Sequence, residues 1–191
     1  MRVHSTPQSL PVRRATPPPA ASKPPVLVDP PAPIPALSRP VLLIAGGSSK
    51  EVGLPEVIHY LTAGGNNTFG GVYHVDRRQE FEDNYHKNPG NVFTLQFSKT
   101  FASFDHNAGE IARAIEDIRR LTGATEIDVV AECKGAMEAR TYLSTRPAED
   151  GIRNLVMLVP PNHGLVIGGD IAWTVSKLVE KLHVPIQTFS G

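Results

Sequence analysis

The residues best placed to do chemistry lie in the stretch EIDVVAECKGAMEAR, residues 126–140. An apolar run leads into Cys133, and a helical pattern follows it. Ala131 and Gly135, two residues before and two after Cys133, are small, as a sharp strand–turn–helix demands of the neighbours of its tip. Cys133 is the single cysteine of the chain. A thiol at such a tip can attack a carbonyl carbon and hold the acyl group as a thioester. The helix behind it aims its first-turn amides at the site, which favours the thiolate, and Lys134 adds positive charge. The backbone amide of Lys134 is the natural first donor to a developing oxyanion. A second would come from the turn Ala45-Gly46-Gly47, with Gly47 the expected donor. The plainer reading makes Cys133 a small buried side chain, as free cysteines commonly are.

The elements that must position this turn can be read from the pattern of apolar residues. PVLLIAGG (40–47) is a continuous apolar run ending in glycines, which suits a strand buried on both faces. A short helix is expected from Pro55 to Thr62, ended by Gly64. Residues 66–91 read as a surface excursion with a short strand at Val72–Val75, and 91–98 as the next strand. A helix follows, with Ala108, Ile111, Ala112, Ile115 and Ile118 on one face, Asn107 and Glu110 as a capping box, and Gly123 as its C-terminal cap. Then come a strand at 126–131, a helix at 135–145 and a strand at 153–160. A last helix carries Ile171, Val175, Leu178 and Leu182 on one stripe, with Trp173 off it. Strands that alternate with helices without alternating in polarity predict an α/β fold, a mostly parallel sheet with flanking helices. Sites in such sheets form beyond the carboxyl ends of the strands, where both glycine turns lie.

Composition narrows the possibilities. The chain has 191 residues, 40% of hydrophobic type, enough for one core. Residues 1–40 hold 12 of the 18 prolines and no aromatic residue. They read as a disordered, Pro-rich tail, leaving 41–191 as the folded domain. The tail carries five basic side chains (Arg2, Arg13, Arg14, Lys23, Arg39) against one acid, Asp29, so in a chain of zero formal charge the body is acidic. That argues against nucleic acid as a partner. One cysteine excludes an intramolecular disulfide and any cysteine-cluster metal site. No run reaches the ~18–20 apolar residues of a transmembrane segment. The N-terminus lacks the apolar core of a secretory signal, which favours a cytoplasmic protein.

The succession PVLLIAGG … NAGEIARAIEDIRRLTGATEIDVVAECKGAMEARTYL … IRNLVMLVPPNHG resembles the lipases of the α/β-hydrolase superfamily over about residues 40–165. Their counterpart runs strand and HG turn, helix, vDlVGHSxGG elbow, aRxYl helix, and a strand ending in TPHxG. The resemblance implies a carboxylic-ester hydrolase, a lipase- or esterase-like protein acting on a small-molecule or lipid acyl substrate, with no cofactor and no metal.

The chain departs from that pattern in places. Ala45 replaces the histidine of the HG turn, Ala131 the first glycine of the elbow, and Cys133 the serine. The family's acid and histidine come later in the chain than PPNHG, which leaves room here for about one helix and a short apolar stretch. A truncated sheet is therefore expected, with a second copy or a partner covering its open edge. His163, just past the strand expected beside the elbow strand, is the candidate base, although in the family's motif that histidine is usually structural. Asp170 and His183 stand in the family's order but read more simply as helix-end residues. His59, His74, His86 and His106 read as surface or packing residues. Polyhydroxyalkanoate synthases and dienelactone hydrolases look similar at the tip, with cysteine in a G-x-C-x-G box. In the synthases the thiol carries an acyl chain, which makes acyl transfer an alternative to hydrolysis. The second alternative is a non-catalytic relative that keeps the fold as a binding module or scaffold.

Overall fold

The computed structural model describes residues 29–46, 54–145, 151–158 and 160. Its strands are β1 (Val41–Ile44), β2 (Phe69–Tyr73), β3 (Val92–Leu95), β4 (Ile127–Glu132) and β5 (Ile152–Leu158). Its helices are α1 (Pro55–Thr62), α2 (Arg78–Lys87, after a short 3-10 turn at Val75–Arg77), α3 (Phe104–Thr122) and α4 (Cys133–Thr145). The five strands form one sheet in the order β2-β3-β1-β4-β5, and every pairing is parallel. This is the α/β architecture that the unalternating apolar strands predict.

β1 is buried along its whole length. Leu42 and Ile44 face one layer with Phe93, Val129 and Ala131, beneath the apolar stripes of α3 and α4 and Phe81 of α2. Val41 and Leu43 face the other layer, beneath Val57, Ile58 and Leu61 of α1. The chain steps from β1 outward to β2 through α1, then returns across the sheet through α2, α3 and α4. The change of direction and the change of face occur together, as a single handedness of crossover requires. On the α1 face, the β4–β5 end carries Asp128, Val130 and Glu132 in register with Asn154, Val156 and Leu158. Val156 there is 49% exposed.

The structure revises the sequence reading in several places. Residues 66–91 are no surface excursion: they hold β2 and α2, and the strand runs from Phe69 to Tyr73 rather than 72–75. α2 has little apolar surface and is seated by Phe81 against Tyr73 and Phe93, ring centroids 5.2 and 5.9 Å away. Charge completes the seating: Arg78 donates to both oxygens of Asp117 on α3 at 2.6 Å, and Arg120 of α3 donates to both oxygens of Glu82 at 2.9 Å.

α3 starts at Phe104, not at a box formed by Asn107 and Glu110. Its N-cap is Ser103, whose hydroxyl accepts from the amide of His106 at 3.2 Å. Gly123 ends it in the left-handed conformation expected of it (φ 72°). Ahead of β1, Leu37 donates its amide to Asn67 at 2.8 Å and Asn67 donates back to the carbonyl of Pro35 at 3.0 Å, so contacts with the body begin before Val41. The helix expected to carry Ile171, Val175, Leu178 and Leu182 lies outside the described residues. Among the described residues, no helix is long and apolar enough to cross a membrane.

Candidate active site

β1 and β4 are neighbours in the sheet, but their onward connections leave toward opposite edges. Such a switch point opens a crevice past the carboxyl ends of the two strands. Ala45 and Gly46 follow β1 at that end of the sheet, and Cys133 follows β4.

Cys133 stands at φ 50°, a left-handed conformation that only one other described non-glycine residue, Leu54, adopts. For an L-residue this costs about 1–2 kcal/mol, so the surroundings must hold it there. They do so by close approach. A β-carbon at Gly135 would lie 2.8 Å from both the carbonyl oxygen of Ala45 and Cγ2 of Ile44. The first turn of α4 is therefore pressed onto the end of β1 more tightly than any side chain would permit. Ala131 is buried in register with Ile44. Across the crevice, a β-carbon at Gly46 would lie 2.8 Å from Cβ of Cys133. Small residues on both strands thus lock the turn, and α4 begins at Cys133 itself, two residues earlier than the sequence pattern suggests. The thiol is free and half-buried.

The charged groups nearby divide in two. The ammonium of Lys134 turns back along α4 to the carboxylate of Glu138, donates to the carbonyl of Thr100 at 2.8 Å and sits 5.4 Å from the ring centroid of Phe104. Glu138 is buried and also accepts from Asn107 of α3 at 2.5 Å. Burial pushes its carboxyl above the ordinary carboxylate range, against the opposing pull of Lys134 and Asn107. The side chain of Lys134 is thus occupied in tying α4 to α3. Its backbone amide, in the first turn of α4, has no partner four residues back within the helix. On the other side, Glu132 turns toward the β1 turn, where its Oε2 accepts from the amide of Gly46 at 3.3 Å. The sequence reading passed over Glu132. Its position one residue before the tip was visible, but its reach across to the β1 turn was not.

Gly47, His163, Asp170 and His183 lie outside the described residues. Three of the remaining histidines are paired with carboxylates: His59 with Asp29 at 2.6 Å, His86 with Glu82 at 3.8 Å and His106 with Glu110 at 3.0 Å. His74 lines a cavity of about 320 Å³ with Arg77, Phe81 and Gln96, at the β2 edge of the sheet. Cys133 does not line that cavity.

No family model and no curated protein matches the chain. The candidate site therefore stands on its own geometry: a cysteine at a strained strand–helix turn, at the switch point of a parallel sheet, flanked by first-turn amides and a carboxylate.

Proposed function

We propose that this chain is an acyl-ester hydrolase of the α/β-hydrolase type, with Cys133 as its nucleophile and a small-molecule or lipid acyl ester as its substrate. The observation that carries the reading is the left-handed backbone of Cys133 just past the carboxyl end of β4, beside the end of β1. Strain of this kind clusters at functional sites, where the surrounding packing over-determines it. A cysteine serving only to fill space has no need of it.

In this reading Sγ adds to the substrate carbonyl carbon. The negative charge that develops on the oxygen is held by the Lys134 amide and by an amide of the glycine turn, with Gly47 proposed for that part. The bond to the leaving alcohol breaks, and the thiol proton ends on the departing oxygen. The acyl thioester left on Cys133 is cleaved by water to a carboxylic acid and the free thiol. An amine or alcohol acceptor in place of water would make the same intermediate an acyl transferase. A working thiol must stay reduced, which suits the cytoplasm.

The test is turnover of p-nitrophenyl esters of increasing chain length by the full chain and by Cys133→Ala. The reading expects p-nitrophenol release that disappears in the variant while its melting temperature is kept. Equal release from both proteins overturns it.

A further inference from the structure

The proposed chemistry needs a group to take a proton from the attacking water, and the geometry points to Glu132. We infer that its carboxylate is the general base of deacylation; this inference rests on the reading of Cys133 as the nucleophile.

Glu132 is the last residue of β4 and immediately precedes the tip. Its backbone continues into the strained turn, and its side chain returns over the crevice to Gly46. One point relates the two groups: the position of a β-carbon on Gly46 lies 2.8 Å from Cβ of Cys133 and 3.5 Å from Oε2 of Glu132. The carboxylate and the thiol-bearing carbon therefore both lie against Gly46, on neighbouring sides of one point.

Among the described residues, the carboxylate accepts from the amide of Gly46 at 3.3 Å and pairs with no cation. Lys134, its nearest basic neighbour in sequence, is committed to Glu138. Arg39, on the same side of the sheet, binds Asp128 at 3.3 Å. The Gly46 amide engages Oε2, and a carboxylate carries lone pairs on both oxygens with which to accept a proton. In the step proposed, the water oxygen bonds to the acyl carbon as one of its protons passes to Glu132. The carbon–sulfur bond then breaks, and the proton moves from Glu132 to Sγ. The products are the carboxylic acid and the resting thiol.

The experiment is a stopped-flow burst measurement on the full chain with p-nitrophenyl butyrate, comparing the wild type with Glu132→Gln. Glutamine keeps an oxygen for the Gly46 amide but cannot act as the base. The expected result is a burst amplitude within about twofold of wild type, a steady-state rate lower by about 10²-fold or more, and butyryl-Cys133 accumulating by mass spectrometry. Hydroxylamine, which attacks thioesters without a base, should restore turnover of the variant. A steady-state rate within about threefold of wild type, a lost burst, or no rescue by hydroxylamine each overturns the role of Glu132. A wild type that turns over ester without acylating Cys133 overturns the nucleophile and this inference with it.

Discussion

The α-carbon of Gly135 faces the carbonyl oxygen of Ala45 so closely that a β-carbon there would stand 2.8 Å from it. The obstacle is backbone of the central strand, which cannot swing aside like the end of a side chain. Gly135→Ala should therefore cost about 1–3 kcal/mol, as overpacking in a tight core does. It should also push α4 off the end of β1 and slow acylation of Cys133. Chemical denaturation measures the first effect and the ester burst the second. Unchanged stability in this variant would contradict the close approach of α4 to the end of β1.

Gly46 and Cys133 make a second test of the same packing. Gly46→Ala places a methyl group against Cβ of Cys133 and should destabilise the chain. Cys133→Gly removes that carbon and relieves a left-handed residue of about 1–2 kcal/mol of strain, offset by glycine's greater chain entropy of about 0.5–1 kcal/mol. Alone it should leave stability unchanged or slightly raised. Combined, the two should recover part of the Gly46→Ala loss, a coupling of about 0.5–3 kcal/mol in a double-mutant cycle. Strict additivity would contradict the contact.

Away from the site, Asp117 is the buried acid that holds α2 to α3. It accepts from the phenol of Tyr73 at 2.7 Å as well as from Arg78. Burial alone would raise its carboxyl, but the bonds from Arg78 and Tyr73 outweigh that and hold it below the ordinary carboxylate range. Burial and the Asp117 bond push the Tyr73 phenol up, so it stays a neutral donor. A carboxyl depressed in the folded state lends stability above its unfolded value and loses it as pH falls through the folded one. The wild type should therefore weaken on acidification, and Asp117→Asn should weaken less steeply. Asp117→Ala strands a buried phenol and should cost about 1–3 kcal/mol at neutral pH. Parallel stability–pH curves for the wild type and Asp117→Asn would contradict this account.

Much of this arrangement was legible in the sequence because its causes are local. The run Val41–Ile44 announces a strand buried on both faces, and the isoleucines of α3 announce one buried helical stripe. Ala131, Cys133 and Gly135 announce the sharp turn by size alone. α2 was not legible: between Arg78 and Lys87 only Phe81 and Tyr85 can seat it, and its other ties are to Asp117 and Arg120, more than 30 residues away. Asn107 looked like a cap because its spacing to Glu110 fits one, yet it is buried and donates to Glu138 of α4. Glu132 was hidden for the same kind of reason, since its partner Gly46 lies 86 residues back.

The most direct measurement of the central claim is the intact mass of the native chain after brief mixing with p-nitrophenyl butyrate at neutral pH, followed by peptide mapping. The account predicts one added butyryl group, located on the peptide that contains Cys133, formed while the chain is still folded and absent in Cys133→Ala. A native chain that stays unmodified, with Cys133 reacting only after denaturation, would contradict it and make the cysteine a packing residue.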